Sequence, residues 1–311
     1  MRVLVTGGAG FIGSNLVDRL VADGLEVVAV DDLSSGSRDN LEEAIAAGAT
    51  LVEADIAEPG AIAKIVGEHR PSVVHHLAAR ASVGGSLADP AEDARVNLLG
   101  TVRVLEAARS GGVERLVYVS TGGAIYGEAD TYPTPETAAV RPESPYGVSK
   151  YGAELYCSIQ PALHGLSTVT LRLANVYGPR QDPAGEGGVV AIFCSRLLEG
   201  GRATINGDGL QTRDFVMVDD VVDACLSAAA SDFGGACNIA TGAETSVLDL
   251  VAALDRAGGS RTLDFEHGPA RDGEVRRSML DPSLAAAKLG WRARTALSDG
   301  LRRTLDWQSR G

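Results

Sequence analysis

A glycine-rich turn near the N-terminus constrains the fold of this chain more than any other feature. The segment Thr6-Gly-Gly-Ala-Gly-Phe-Ile-Gly13 follows an apolar run predicted as a strand and opens an amphipathic stretch predicted as a helix. Gly7 permits a tight turn there, Gly10 lets the backbone approach a ligand, and Gly13 allows close packing of helix on strand. Because a helix N-terminus also attracts negative charge, the turn predicts a dinucleotide pyrophosphate site rather than a purely structural glycine cluster.

The first half of the chain alternates short β-branched runs with amphipathic segments, which is typical of βαβ units. Strands are predicted at Val3–Thr6, Glu26–Val30, Thr50–Glu53, Val73–His76, Leu116–Ser120 and Ser167–Arg172. Helices are predicted at Gly10–Ala22, Pro59–His69, Asp93–Ser110 and Tyr146–Leu163. Since the strands are apolar on both faces, we predict an α/β fold with a Rossmann-like, doubly wound parallel sheet that binds its ligand at the carboxyl ends of the strands.

The regular alternation of strand and helix patterns ends after about Gly178, and a smaller C-terminal lobe is predicted from there on. A Pro/Gly-rich loop at Pro179–Gly188 is followed by a predicted helix at Val189–Leu198, and Ile205–Gly209 and Arg261–Asp272 are predicted as loops. We expect residues 1–178 to form the NAD-binding domain. Residues 179–311 are expected to form mainly a substrate-binding lobe, with some chain crossing back to the first domain.

Acidic residues at two predicted strand ends indicate which dinucleotide binds. Asp31 follows the second strand, where a carboxylate accepts hydrogen bonds from both ribose hydroxyls and repels the extra phosphate of NADP, so NAD is the predicted cofactor. The adjacent Asp32 is either a second ligand or a turn cap. After the third strand, Asp55 is predicted to face the adenine amino group and Ile56 the adenine ring.

The segment Tyr146-Gly-Val-Ser-Lys150 predicts a catalytic base. On a helix, Tyr146 and Lys150 share one face because they are four residues apart. A Tyr phenol ordinarily has a pKa near 10, which a neighbouring ammonium and the positive charge of oxidised nicotinamide would lower. Lys150 is also placed to hold the nicotinamide ribose. The alternative is a surface Tyr beside a solvated Lys.

Composition excludes several classes of function. A net charge of −13 disfavours binding of nucleic acid, because the chain has no basic stripe to neutralise phosphates. The four dispersed cysteines contain no C-x-x-C pair, so neither a disulfide framework nor a metal site is predicted. The chain opens on a predicted strand rather than a signal peptide, and no apolar run is long enough to span a bilayer. We expect a cytoplasmic protein without membrane contacts.

Further motifs extend these predictions over nearly the whole chain. They are His76-Leu-Ala-Ala79, Asn97, Ser120-Thr-Gly-Gly-Ala-Ile-Tyr-Gly127, Asn175-Val-Tyr-Gly-Pro-Arg180, Gly207-Asp-Gly209, Arg213-Asp-Phe-Val-Met-Val-Asp-Asp220 and Pro269-Ala-Arg-Asp-Gly-Glu274. With the two motifs above, the chain resembles the extended short-chain dehydrogenase/reductase family, and within it the nucleotide-sugar 4-epimerases of the UDP-galactose 4-epimerase type. The later motifs are the more specific to nucleotide-sugar enzymes.

The resemblance implies a set of ligand contacts and a homodimer. The cofactor contacts that it implies are Phe11, Ile12, Leu77, Ala78, Ala79 and Asn97. The substrate contacts that it implies are Thr121, Asn175, Val189, Arg213, Arg271 and Ser278. Asn175 would contact the diphosphate of a UDP-sugar, and the two arginines would clamp phosphates or ribose. For Arg213 the alternative is a surface ion pair with Asp214.

One position departs from the family pattern. A Ser or Thr usually lies four residues before the Tyr of the Tyr-Gly pair, where this chain has Gly122. Thr121 and Ser120 are therefore assigned to the catalytic set with Tyr146 and Lys150. The glycines at 122 and 123 argue against 4,6-dehydratases, which place an Asp-Glu pair after this Thr.

The resemblance implies NAD-dependent epimerisation at C4 of a UDP-hexose through a 4-keto intermediate, with NAD retained. The small Ser278 would leave room for an N-acetylated sugar. The enzymatic alternatives are a UDP-glucuronate 4-epimerase and a net oxidoreductase acting on a nucleotide sugar. The non-enzymatic alternative is an NAD-binding redox sensor.

Overall fold

A parallel sheet built from short, β-branched strands organises the chain in the computed structural model, which describes residues 1–184, 188–270 and 275–310. The strands are β1 (Arg2–Thr6), β2 (Glu26–Asp31), β3 (Thr50–Glu53), β4 (Val73–His76), β5 (Arg115–Thr121), β6 (Ser167–Leu173), β7 (Asn175–Tyr177), β8 (Arg202–Asn206), β9 (Thr212–Arg213), β10 (Phe215–Met217), β11 (Gly235–Ile239), β12 (Thr245–Ser246) and β13 (Asp264–Gly268).

The helices alternate with these strands through the first half of the chain. They are α1 (Phe11–Ala22), α2 (Glu42–Ala46), α3 (Ala61–His69), α4 (Val83–Ala88), α5 (Pro90–Ala94), α6 (Thr101–Ser110), α7 (Gly122–Ile125), α8 (Pro145–His164), α9 (Val189–Glu199), α10 (Val218–Ala230), α11 (Val247–Ala257), α12 (Ser283–Leu289) and α13 (Leu297–Gln308). None of the described helices is long and apolar enough to cross a membrane.

The order of the strands confirms the predicted doubly wound sheet. Seven parallel strands lie in the order β11-β6-β5-β4-β1-β2-β3, so the direction of winding reverses between β1 and β4. Their carboxyl ends open a crevice at this switch point, which is where ligands bind in such sheets. The glycine-rich turn follows β1, directly beside this crevice.

Alternate residues of each strand pack into separate apolar layers. Val3 and Val5 of β1 face a cluster with Leu16 of α1 and Val221 of α10. Leu4 faces the opposite cluster, which contains residues of α3 and α6. Both faces of the sheet are therefore covered, as the continuous apolar character of the strands predicted.

The predicted loops in the second half were partly wrong. Residues Arg202–Asn206 and Asp264–Gly268 form the paired strands β8 and β13, joined by an ion pair between Arg202 and Asp264 at 2.8 Å. The segment Asp264-Phe-Glu-His-Gly268 carries too few apolar residues to show strand alternation, and pairing with β8 stabilises it. Strand β11, which was not predicted, also crosses back to join β6 in the main sheet.

One predicted helix is interrupted by a wider turn. The segment predicted as a helix from Asp93 to Ser110 contains the last two residues of α5, a π-helical turn at Arg95–Gly100, and α6. Asn97 lies within the π-helical turn and is buried. Such turns insert one extra residue into a helix and occur often at functional sites.

Candidate active site

The glycine-rich turn leaves no room for side chains at three of its four glycines, Gly7, Gly8 and Gly13. Gly7 has a φ of +70° and donates its amide to the carbonyl of Val30 at 2.8 Å. A Cβ on Gly7 would lie 2.7 Å from the Ala78 nitrogen, and one on Gly13 would lie 1.9 Å from the Gly7 oxygen. No side chain of the described residues caps α1, whose first amides therefore remain available to an anion.

The first two residues of α1 join this turn to the smaller lobe. The side chains of Phe11 and Ile12 are partly buried and pack against the apolar cluster formed by α9, α11 and α13. Both residues were predicted as cofactor contacts from the motif. Their backbone lies at the helix N-terminus, whereas their side chains fix the turn against the lobe.

The two aspartates after β2 have different environments. Asp31 is 8% exposed, and its oxygens accept hydrogen bonds from the amides of Ala9 and Leu33, each at 2.9 Å. Burial raises the pKa of Asp31, and these backbone bonds oppose the rise. Asp32 is exposed and accepts from the amide and hydroxyl of Ser34 at 3.0 and 2.6 Å. Asp31 therefore organises the glycine turn itself, and Asp32 has the geometry of a turn residue.

Asp55 is held by a residue that the sequence motifs did not identify. Its carboxylate accepts from the Ala57 amide at 2.7 Å and from the Arg95 guanidinium at 2.8 Å. Ile56 is buried, and its side chain packs against Gly100 of the π-helical turn. The predicted adenine-binding pair is thus anchored to the π-helical turn from two directions.

A directed chain of hydrogen bonds fixes the end of β4. The Thr101 hydroxyl donates to the Asn97 carbonyl at 2.6 Å, so it accepts from His76 Nε2 at 2.9 Å. His76 Nδ1 then accepts from the Thr6 hydroxyl at 2.7 Å. Burial, with a smaller contribution from Lys150, lowers the pKa of His76 to about 3, so the ring is neutral. This series of hydrogen bonds fixes the backbone that leads into Leu77, Ala78 and Ala79.

The two histidines that end β4 are both neutral. Burial lowers the pKa of His75 to about 4, which keeps this ring neutral as well. Among residues 1–184, 188–270 and 275–310, no three His, Cys, Asp or Glu side chains form a group that could hold a metal ion.

Helix α8 brings the predicted base to Thr121. The Ser144 hydroxyl caps this helix by accepting from the Gly147 amide at 3.2 Å. The Thr121 hydroxyl lies close enough to the Tyr146 phenol to act on its pKa. Burial and, to a smaller extent, the charge of Asp93 raise the pKa of Tyr146 to about 12, while the Thr121 hydroxyl opposes the rise. The Thr121 side chain therefore lies beside the Tyr146 phenol even though the next residue is a glycine.

Lys150 has different contacts from those expected. Its Nζ donates to the Val119 carbonyl at 2.7 Å and lies 4.4 Å from the centroid of the Tyr118 ring. Burial lowers the pKa of Lys150 to about 8, and the charges of Glu154, Cys157 and Asp93 oppose this. We expected Lys150 to lower the pKa of Tyr146. In the protein alone it does not, because the causes that act on the Tyr146 pKa are burial, Asp93 and Thr121.

Ser120 belongs to a different hydrogen-bond network from Thr121 and Tyr146. Its hydroxyl donates to Glu154, which forms an ion pair with Arg172 at 2.7 Å. Both partners of this ion pair are buried, and Arg172 also donates to the Tyr126 hydroxyl at 2.8 Å. Successive residues of a strand point to opposite faces, so Ser120 faces this network while Thr121 faces Tyr146.

Packing explains the glycine at position 122. A Cβ on Gly122 would lie 2.3 Å from Leu280 Cδ1, so Leu280 occupies the space that a Ser or Thr would need. A Cβ on Gly123 would instead lie 3.9 Å from both Thr121 Oγ1 and Asn175 Oδ1. Thr121 and Asn175, predicted separately, therefore border the same space.

The remaining predicted substrate residues lie in the C-terminal part of the chain. Arg213 is in β9, and its guanidinium donates to the Thr212 carbonyl at 2.8 Å. The Ser278 amide donates to the same carbonyl at 3.2 Å, so these two residues are neighbours. Val189 begins α9 and packs against the lobe's apolar cluster. Arg271 lies outside the described residues.

Asp214, the residue named as the alternative partner of Arg213, has other hydrogen-bond partners. Asp214 is fully buried, and its carboxylate accepts from the Thr241 amide and hydroxyl at 2.9 and 2.6 Å and from the Gly242 amide at 2.9 Å. Asp214 therefore secures the turn after β11 instead of forming a surface ion pair.

Sequence reasoning missed Asp93 and Ser149. Asp93 accepts from the Asn97 amide at 2.8 Å and from the Ser149 hydroxyl at 2.6 Å. Ser149 lies inside the Tyr146–Lys150 motif, and Asp93 precedes Asn97 by one helical turn. These two positions relative to known motifs are the sequence features from which Asp93 and Ser149 could have been identified.

The site fits NAD along the whole carboxyl edge of the sheet. The glycines form a cradle that side chains would fill, and a buried carboxylate follows β2. At the other end, Thr121, Tyr146 and Lys150 lie together beyond β5. A dinucleotide spans this arrangement in doubly wound sheets.

Comparisons with known proteins agree with this geometry. The sequence pattern described as "NAD dependent epimerase/dehydratase family" matches residues 3–240. The chain is 48% identical over 309 residues to a UDP-glucose 4-epimerase of Mycolicibacterium smegmatis, covering 99% of this chain and 98% of that protein.

Two solved structures have the same fold throughout. A UDP-glucose 4-epimerase of Thermotoga maritima, solved with UDP-glucose, is 45% identical with a TM-score of 0.95, covering 100% of this chain and 99% of that one. A UDP-glucose 4-epimerase of Thermus thermophilus in complex with NAD is 43% identical with a TM-score of 0.92, covering 99% and 98%. The chain therefore belongs to the NAD-dependent epimerase/dehydratase family.

Proposed function

We propose that this chain is an NAD-dependent UDP-hexose 4-epimerase. The observation that carries the proposal is the placement of Tyr146 beside Thr121, one helical turn from Lys150 and at the carboxyl edge of an NAD-type sheet. Full-length similarity to UDP-glucose 4-epimerases supports it.

The nucleotide end would hold NAD through the backbone of the glycine turn and the Asp31 carboxylate. Asp55, Ile56, Asn97 and the Leu77–Ala79 segment would line the rest of the cofactor site. When bound there, NAD would supply the reversible hydride transfer that inversion at C4 of the sugar requires. The reaction then has no net redox change, so the cofactor is retained.

Tyr146 would remove the proton of the 4-hydroxyl and later return it. The protein surroundings alone give Tyr146 a pKa of about 12, which is too high for a base at neutral pH. A positive charge beside the phenol lowers its pKa, and the oxidised nicotinamide carries such a charge. The Thr121 hydroxyl would hold the reacting oxygen, and Lys150 would hold the nicotinamide ribose.

The smaller lobe, residues 179–311, would bind the UDP-sugar together with Asn175 and Thr121. Asn175 would contact the diphosphate, and Arg213 and Arg271 would bind phosphate or ribose oxygens. Val189 and Ser278 would line the site, and the small Ser278 leaves room for a substituted sugar. Since Gly123 adds no side chain between Thr121 and Asn175, the sugar would lie in that space.

We also infer that the protein is a cytoplasmic homodimer. Val148, Leu155, Ile159 and Leu163 expose between 44% and 64% of their surface along one side of α8. Exposed apolar stripes of this kind mark interfaces, here with a second copy of the chain. The four cysteines are free and buried, as suits a reducing compartment.

The test is incubation of the purified protein with UDP-glucose, UDP-N-acetylglucosamine and UDP-glucuronate separately, without added NAD. Chromatography would detect the C4 epimers. Conversion of UDP-glucose is the expected result, and conversion of UDP-glucuronate alone would replace the substrate assignment. A protein that carries NAD but inverts C4 of none of them would contradict the proposal.

A further inference from the structure

A buried carboxylate lies between the two ends of the site. Asp93 is 1% exposed, and each of its oxygens accepts one hydrogen bond, from Asn97 Nδ2 at 2.8 Å and from Ser149 Oγ at 2.6 Å. Within the described part of the chain, Asp93 forms no ion pair. A buried charge without a cationic partner is costly, so its two neutral donors and the N-terminal turn of α5 must stabilise it.

One of these donors reaches the cofactor end. The Asn97 side chain accepts from the Arg80 amide at 2.8 Å and donates to the Arg80 carbonyl at 3.2 Å. Arg80 directly follows the Leu77–Ala79 segment, where Ala78 closes against Gly7. The π-helical turn places Asn97 so that its amide contacts both Arg80 and Asp93.

The other donor lies on the catalytic helix. Ser149 immediately precedes Lys150, and its hydroxyl also lies 3.1 Å from the carbonyl of Tyr146. A continuous path therefore runs from Arg80 through Asn97, Asp93 and Ser149 to the first turns of α8.

We propose that Asp93 is a positioning residue that holds the helix carrying Tyr146 and Lys150 in register with the cofactor-binding backbone at Arg80. This inference rests on the proposed epimerase function. Through its two donors, Asp93 sets how far the base lies from the nicotinamide end of the site.

The charge of Asp93 also acts on the base. The ionisable groups around the pair are Asp93 from α5, Tyr118 from β5, His76 from β4, and Glu154 and Cys157 from α8 itself. After burial, Asp93 is the next cause that raises the pKa of Tyr146. It also helps Glu154 and Cys157 to oppose the fall in the Lys150 pKa caused by burial. Asp93 thus favours the ammonium of Lys150 at the expense of the phenolate.

Two substitutions separate the charge from the hydrogen bonds. Asp93→Asn removes the charge while its amide can still accept from Asn97 and donate to Ser149. Asp93→Ala removes both. Each variant is purified with its bound NAD and compared with the wild type in retained NAD per protomer after gel filtration and in kcat for UDP-glucose against pH.

In both variants we expect the acid limb of the kcat profile to move to lower pH by about one unit, because Tyr146 ionises more readily. Only Asp93→Ala should lose most of its NAD. An unmoved acid limb in Asp93→Asn, or equal NAD retention in the two variants, would overturn the proposal. If the wild type retains NAD but epimerises none of the sugars, the proposed function fails. The comparison of retained NAD between the two variants then still tests whether Asp93 holds the helix in register with the cofactor-binding backbone.

Ser149→Ala provides the same test if Asp93→Ala does not fold. It removes one bond and keeps the charge, so kcat should fall about tenfold with the acid limb in place, as expected for a misplaced base. A wild-type kcat in Ser149→Ala would overturn the positioning role.

Discussion

The nucleotide end and the chemical end of the site are built by different means. At the nucleotide end, the shape comes from missing side chains, since the Gly7 and Gly13 positions have no space for a Cβ. At the chemical end, it comes from buried polar side chains of distant segments, where Thr121 meets Tyr146 and Asp93 meets Ser149. A substitution that adds a side chain should therefore damage the nucleotide end. A substitution that removes a proton, a charge or a hydrogen bond should damage the chemical end.

The largest effect is expected at the chemical end from Tyr146→Phe. Removal of the phenol hydroxyl removes the base, and general acid–base groups contribute about 100- to 10,000-fold, so kcat on UDP-glucose should fall about 1,000-fold, or about 4 kcal/mol. NAD retention should stay at the wild-type level, which also separates an enzyme from a redox sensor. Tyr156→Phe on the exposed side of α8 is the matched control. A Tyr146→Phe variant that keeps a tenth of its activity would contradict the assignment.

At the nucleotide end, Gly13→Ala should destabilise the fold. Its Cβ would lie 1.9 Å from the Gly7 oxygen, so the turn must move, at a cost of about 3 kcal/mol in the free energy of unfolding. Gly10→Ala is the control, because its Cβ would lie 3.3 Å from the same oxygen. That variant should unfold near the wild-type denaturant midpoint while retaining less NAD. Equal midpoints for the two variants would show that the turn tolerates both side chains.

The same contrast explains which parts of the site the sequence could predict. The glycine turn, Asp31 and the Tyr146–Lys150 pair lie in short motifs whose local geometry follows from residue type. The Asp93–Ser149 bond and the clash of Leu280 with a side chain at 122 join segments far apart in the chain. Strands β8 and β13 were missed for a related reason, because pairing rather than apolar alternation stabilises them. The contacts of Ser120 could not be predicted from its motif, because they involve Glu154 and Arg172, which are distant in the chain.

A smaller effect at the chemical end should appear as a pH dependence of stability in the NAD-free protein. The folded Lys150 has a pKa of about 8 against 10.5 for an ordinary Lys, so the unfolded state binds more protons between these values. Stability from this group must then rise with pH, by about 1 kcal/mol between pH 8 and pH 9. Lys150→Met should lack this rise. Denaturant unfolding of the wild type and of Lys150→Met at each pH checks this prediction. Both proteins contain the four cysteines, whose ionisation acts in the opposite direction, so the difference between the two stability curves leaves the contribution of Lys150. Parallel curves would contradict the pKa of Lys150.

The smallest effect is expected from Asp32→Asn, which decides whether the nucleotide end uses one carboxylate or two. Asp32 is exposed and accepts its hydrogen bonds from Ser34 through one oxygen, which an Asn can replace. Stability should change by less than about 0.5 kcal/mol, and NAD retention should not change. In the matched variant Asp31→Asn, one of the amides of Ala9 and Leu33 loses its acceptor, and the repulsion of a 2′-phosphate is lost. That variant should weaken NAD binding and admit NADP. If Asp32→Asn weakens NAD as much as Asp31→Asn does, Asp32 is a ribose ligand, and side-chain charge as well as backbone shape defines the nucleotide end.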